Sequence, residues 1–402
     1  MTGTYWPISA MMFLEFAVWG AWVPVLAARL LGPLKMTGKQ TGWIYSTLPI
    51  ACMISPLLAG HMADKWLNAE WILAACHLVG AVLLLVALKQ RTFTAVFLAM
   101  LAYSFCFAAT LPLVNAVLFA HISDGPTQSW VFFWAPVSWA LVGYALTGWR
   151  FLRKKGTGEG GDCLVFAAVL SVVMAACCLL LPATPPAAKG GAPLLDALKL
   201  FQNTDLSVFM VASFVISGLM QFYFLGSAQF MIDRGISPKA VPATMAIAQV
   251  AQAGFTIVVL GTALGSLKWA GLLGQWGFKT ILVLGGASWV VLYMVYIVGR
   301  PKALLVVSQV FHGLAYVTFM IVGQVYVNAM APEAVRSSMQ SLVFVATTGV
   351  GMFLGSNLAG LTMDKFSVGG KFQWQKIWWV PMLIMLAGTV AMATLFHGNL
   401  QP

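Results

Sequence analysis

Charge is what this sequence has little of. Only 8% of its 402 residues are Asp, Glu, Lys or Arg, where a soluble domain carries about 25%. Acids are scarcer than bases, 11 against 22. That shortage excludes an ordinary water-soluble globule. Nucleic acid is excluded as a partner because the basic residues stand in sparse polar breaks and form no face interleaved with aromatics. The net charge of +11 points to contact with anionic lipid headgroups. Metal-ligand spacing is missing too. Cys52, Cys76, Cys106, Cys163, Cys177 and Cys178 lie within or beside apolar runs and read as small buried hydrophobes, so no metal or cofactor is expected. Gly351-x-x-x-Gly355 has no following Lys-Ser/Thr, which makes it close helix packing and not a phosphate loop. "MTGTYWPISA" has no positive segment and no small-residue cleavage site, so the first apolar run is expected to be a retained helix.

What is present in quantity is apolar sequence, with 60% hydrophobic residues and a mean hydropathy of +0.88. Runs near the 20 residues that cross a bilayer recur from end to end. They predict an all-α polytopic membrane protein with twelve transmembrane helices. The first six fall at Trp6–Leu30, Gly42–Met62, Trp71–Leu88, Phe93–Phe119, Trp130–Trp149 and Cys163–Leu181. The second six fall at Leu206–Phe230, Val241–Leu264, Phe278–Val298, Ala303–Met330, Ser337–Thr362 and Ile377–Phe396. Residues 183–204 are the longest polar connector, rich in Pro and Gly before the short amphipathic "PLLDALKLF" (Pro193–Phe201). They divide the chain into two six-helix bundles, 1–182 and 205–402.

Against this background "MMFLEFAVWGAW" (Met11–Trp22) stands out, because it sets Glu15 deep in an apolar run. At 1.5 Å per residue, about ten residues in from Trp6 is near the bilayer centre, where an ionised acid costs roughly 2.5–3.5 kcal/mol even on the lenient insertion scale. Every other acid lies in a loop or within a turn of a span end. Desolvation disfavours an ionised carboxyl, so Glu15 is a group that can take and release a proton as its surroundings hydrate and close. The alternative is a permanently protonated, hydrogen-bonding Glu. His312 is the second ionisable group at depth and can hydrogen-bond or titrate. His77, near the start of the third span, reads as structural. Amides recur on helix faces: Gln249 and Gln252 at i,i+3, Gln221 in the seventh span and Asn115 in the fourth. Trp19 is one turn beyond Glu15 and Tyr316 one turn beyond His312. Aromatic faces beside amides suit a flat, neutral, hydroxylated ligand.

"FLEFAVWGAW", the run Gly42–Ala81, "TLPLVNAV" (Thr110–Val117), "APEAVRSSMQS" (Ala331–Ser341) and "WQKIWW" (Trp374–Trp379) together resemble the nucleoside–proton symporter family. That family belongs to the major facilitator superfamily, whose plan is six plus six helices with a site near the midplane. The resemblance implies a secondary transporter of a nucleoside or similar small neutral solute, working by alternating access as a monomer in a bacterial inner membrane, with protons as co-substrate. The residues themselves, and not the family pattern, make Glu15 and His312 the candidate proton-coupling residues and Trp19, Asn115, Gln221, Gln249, Gln252 and Tyr316 the candidate substrate-binding residues. Gly60, Asp64 and Lys65, in "GHMADKW", resemble the superfamily's conformational latch. The resemblance also favours a cytoplasmic N-terminus, which puts only Lys65, Lys189, Lys199, Lys268, Lys279 and Arg336 of the 22 basic residues on the cytoplasmic side. The positive-inside rule chooses the inverse.

The departures from the family matter as much. A basic residue before the span-five Trp is replaced by Phe132. An acid in span eight is replaced by an amide, Gln252 after Gln249. An acid in span ten is replaced by Val317, and an Asn after Gln221 by Phe224. Meanwhile Glu15 stands where relatives carry an amide. An uncoupled facilitator, a sugar-like carrier and a non-transporting sensor stay open as alternatives. An enzyme does not fit, since Glu15 and His312 are the only deep ionisable pair and lie in different halves.

Overall fold

The computed structural model describes residues 3–123, 125–153, 160–186, 199–264, 267–269, 271–332 and 336–398. Most of the expected amphipathic segment, residues 193–198, lies outside them. Eleven helices among the described residues are long and apolar enough to cross a membrane, and a twelfth is apolar but shorter. In chain order they are α1 (Tyr5–Leu31), α2 (Gly38–Lys65), α3 (Ala69–Lys89), α4 (Phe93–His121), α5 (Thr127–Leu152) and α6, the short one (Asp162–Cys178). Then follow α7 (Thr204–Asp233), α8 (Val241–Leu260), α9 (Gly271–Val298), α10 (Lys302–Met330), α11 (Met339–Lys365) and α12 (Trp374–Leu395). Among the described residues the spans are thus all helical, as the apolar runs require.

The expected ends shift where backbone chemistry intervenes. The eighth span stops at Leu260 and not Leu264, because Gly261 turns to a positive φ of 88° and a short hairpin follows, β1 (Thr262–Leu264) with β2 (Leu267–Trp269). The ninth begins at Gly271, seven residues before the expected Phe278, and is kinked at Gly277, φ 72° and ψ 171°. A second hairpin, β3 (Ser367–Val368) with β4 (Lys371–Phe372), separates α11 from α12.

Contacts divide the chain into two compact units, Met1–Lys189 with Phe224–Ala246, and Gly190–Tyr223 with Ile247–Pro402. In the first, α1 packs on α5 and α6 and also meets α4, while α3 lies against α4 and α6. Its core is built from residues such as Ile8, Met11, Leu73, Val117 and Met174. The segment Phe224–Ala246 belongs with this unit because its backbone meets α5 directly: Ala243 N–H donates to Thr147 Oγ1 at 2.9 Å, and Arg150 Nη1 donates to the Pro238 carbonyl at 3.2 Å. Arg150 also grips Asp162, at the start of α6, through two bonds of 2.8 and 2.7 Å.

In the second unit α9 packs on α10 and α12. The Gly351-x-x-x-Gly355 face of α11 meets α7 backbone to backbone. A Cβ at Gly355 would strike the Gly218 carbonyl, and one at Gly351 would lie 2.9 Å from the Phe214 carbonyl. Small residues allow that approach.

Candidate functional site

Glu15 is fully buried, at 0% exposure, and it is not alone. His77 Nε2, from α3, stands 2.8 Å from Glu15 Oε2. Thr110 Oγ1, from α4, donates to Glu15 Oε1 at 2.6 Å. His77 is itself 2% exposed and Thr110 0%. Local sequence explains why α4 offers its hydroxyl here. Thr110 Oγ1 also lies 2.6 Å from the Phe107 carbonyl, one turn back on its own helix, which holds the hydroxyl on the face that meets Glu15. A carboxyl so placed keeps both oxygens hydrogen-bonded without water, which is the condition for burying it.

One turn on, Trp19 joins an aromatic cluster with Phe107, centroids 5.9 Å apart, and with the edge of Trp139 at 5.8 Å. Gly20 makes room: a Cβ there would lie 2.8 Å from the Trp139 ring. Phe224 lies beyond Trp139 at 6.4 Å. The Trp19 indole N–H is buried with no hydrogen-bond partner among the described residues. Asn115 is half-buried on α4.

In the second unit His312 is buried, but its surroundings are aromatic. Its ring stacks on Tyr223 at 4.2 Å and meets the Trp289 edge at 4.8 Å. Tyr223 donates to Gln309 Oε1 at 2.7 Å, and Gln309 Nε2 donates to Tyr296 at 2.9 Å. This closed network was not legible from spacing and holds α7, α9 and α10 together. Gln221 accepts from Ser356 at 3.2 Å. Gln252 is buried and Gln249 half-buried on α8, which α10 approaches so closely that a Cβ at Gly313 would strike the Ala248 carbonyl. Tyr316 begins a π-helical turn, Tyr316–Ile321, and α11 carries another, Val345–Gly351. Such turns are rare and recur at functional sites.

The structure therefore joins Glu15 to His77 and Thr110, which the sequence reading did not single out for function. His312, expected to share the coupling role, has its ring partners in the other unit. Asp64 and Lys65 are exposed at the end of α2 and Gly60 is half-buried. Of the departures, Val317 and Phe224 are buried and Phe132 is exposed. Among the described residues, no group of three or more His, Cys, Asp or Glu is placed to hold a metal ion.

A bundle of long apolar helices with polar side chains buried inside it is the build of a multi-pass membrane protein. The family model described as Nucleoside H+ symporter matches residues 3–401, and the chain belongs to that family. Among curated relatives, it is 28% identical to the nucleoside permease NupG of Escherichia coli (strain K12), over 97% of this chain and 94% of that protein. It is 27% identical to the xanthosine permease of the same organism, over 93% and 91%. A solved structure of nucleoside transporter NupG, an Asp-to-Ala mutant, superimposes with a TM-score of 0.86 at 25% identity, covering 98% of this chain and 100% of that one. The fold is the major facilitator fold, and the protein is a multi-pass inner-membrane transporter.

Proposed function

We propose that this chain carries a nucleoside, or a similar small neutral polyhydroxylated solute, together with a proton by alternating access, and that Glu15 holds the proton. The observation that carries the coupling is the burial of Glu15 at 0% exposure between two hydrogen-bonding partners. A carboxyl there is costly as an isolated charge and stable when it can gain or lose a proton among donors and acceptors.

Hydrogen-bond satisfaction ranks the polar candidates among themselves. Tyr223 and Gln309 are bonded to each other and belong to the scaffold. The side chains of Asn115, Gln249, Gln252 and Tyr316 make no hydrogen bond among the described residues, and the Trp19 N–H is likewise unpartnered. Together with the remaining amide capacity of Gln221, these are the donors and acceptors we assign to the solute. The Trp19 and Tyr316 rings supply stacking faces. His312 packs by its ring face against Tyr223, and we place the coupling proton on Glu15 because both of its carboxyl oxygens have hydrogen-bonding partners, with His312 as the second candidate. Gly60, Asp64 and Lys65 form the latch at the end of α2, and the chain works as a monomer among lipids.

The test is uptake of radiolabelled nucleoside into proteoliposomes with and without an inward proton gradient, for wild type and Glu15→Gln. The gradient should raise accumulation by wild type and leave Glu15→Gln unmoved. Equal uptake in all four conditions would remove the coupling and leave a facilitator. A thermal-shift screen of nucleosides, bases and sugars fixes the solute class, since a ligand that binds the folded state raises its stability.

A further inference from the structure

Thr110 sits between two acceptors and owns one proton. Its oxygen lies 2.6 Å from Glu15 Oε1 and 2.6 Å from the Phe107 carbonyl, and a hydroxyl can donate to only one of them at a time. When Glu15 is ionised, Thr110 must donate to Oε1. When Glu15 is protonated at Oε1, the acid donates to Thr110, and the hydroxyl turns its own proton to the Phe107 carbonyl. His77 meets the other oxygen, Oε2, at 2.8 Å and can donate from Nε2 in both states. No buried oxygen is left unpartnered on either side of the exchange.

We infer that Thr110 is a hydroxyl switch for the coupling proton and His77 its fixed counterpart, so that Glu15, His77 and Thr110 act as one proton-holding unit inside the first bundle. The step is a plain proton transfer: when the transport cycle admits water to the site, one proton passes between that water and Glu15 Oε1, and the Thr110 O–H rotates without changing its own proton count. Both are positioning residues that act through Glu15. The other titratable groups that interact electrostatically with Glu15 are Cys76 on α3, Tyr103 on α4 and Cys178 on α6. No Lys or Arg side chain is hydrogen-bonded to it among the described residues. At Oε1 the compensation therefore falls to a neutral hydroxyl, and the His77 imidazole, 2.8 Å from Oε2, is the group beside Glu15 that can carry a positive charge. This inference rests on Glu15 as the proton carrier.

Infrared difference spectra between high and low pH, recorded on the purified protein in lipid without substrate, isolate Glu15 as the protonated carboxyl band that Glu15→Gln abolishes. Thr110→Val is expected to move that band to higher frequency, because the acid loses its acceptor, and Thr110→Ser to return it. In proteoliposomes Thr110→Val should exchange nucleoside within about twofold of wild type yet accumulate it about tenfold less under a proton gradient, the loss that 1.4 kcal/mol represents. Thr110→Ser should recover accumulation. An unmoved band in Thr110→Val, or accumulation equal to wild type, overturns the switch. So does a loss of exchange and accumulation together that Thr110→Ser fails to repair, since that marks a purely structural residue. A band that shifts as expected while wild type exchanges no nucleoside keeps the switch and sinks the substrate assignment.

Discussion

At Glu15 two stability effects can be separated by substitution. Glu15→Gln keeps a group of the same shape that can donate and accept, so the melting temperature should stay close to wild type even as coupling fails. His77→Phe removes the donor to Oε2 and leaves a buried carboxyl oxygen unpaired, at a cost of about 1–3 kcal/mol. Thermal denaturation in detergent should show a clear fall for His77→Phe and near recovery in the double variant Glu15→Leu, His77→Phe, which leaves only the Thr110 hydroxyl, still bonded to the Phe107 carbonyl. A double variant as unstable as the single one would mean that His77 contributes packing alone. The sequence reading takes His77 as structural, although its depth in the span is a signal that could have marked it. Glu15 lies ten residues past Tyr5, His77 eight past Ala69 and Thr110 eleven before His121. At 1.5 Å per residue those are depths of about 15, 12 and 16 Å, counted from the N-termini of α1 and α3 and the C-terminus of α4. His61 and His121 sit at helix ends, so His77 was the one imidazole of the first six spans at the depth of the acid. What spacing could not reveal was that α3 and α4 turn these faces toward α1, because that is decided by packing between residues 62 and 95 positions apart.

Between elements, glycine decides how closely helices approach. Gly355→Val would push α11 off the Gly218 carbonyl of α7, and overpacking of this kind costs about 1–3 kcal/mol. The same measurement on Gly60→Ala should show no loss, since a Cβ there meets nothing within 4 Å and Ala is the better helix former. If Gly60→Ala slows transport while remaining stable, it acts on motion at the latch. A stronger effect belongs to the tie between α5 and α6. Arg150 and Asp162 are nearly inaccessible, at 5% and 8% exposure. Removing one partner of a buried pair costs about 3–5 kcal/mol, whereas replacing both by apolar residues is often neutral. Asp162→Leu should therefore lower the melting temperature well below that of Arg150→Leu, Asp162→Leu, and the reverse order would contradict a desolvated pair. The glycine contact was visible in Gly351-x-x-x-Gly355. The ion pair was not, because both residues read as the ends of apolar runs, where charges are expected to face water.

For the whole molecule, hydropathy alone carried most of the fold. Among the described residues the twelve apolar runs became eleven span-length helices and a shorter twelfth, and the main shifts of span ends fell where Gly261 and Gly277 adopt positive φ, a property that apolar content does not report. The amides were legible as polar exceptions in apolar helices. The scaffold network of Tyr223, Gln309 and Tyr296 was not, since Tyr and Gln in a span look alike whether they meet a solute or one another. The central claim, that proton movement accompanies the solute through Glu15, is tested most directly in a weakly buffered suspension of proteoliposomes with no imposed gradient. The measurement is the external pH on adding nucleoside. Wild type should make the medium more alkaline as protons enter with the solute, and Glu15→Gln should take up nucleoside by exchange with no pH change. An alkalinisation of equal size in Glu15→Gln would contradict the account.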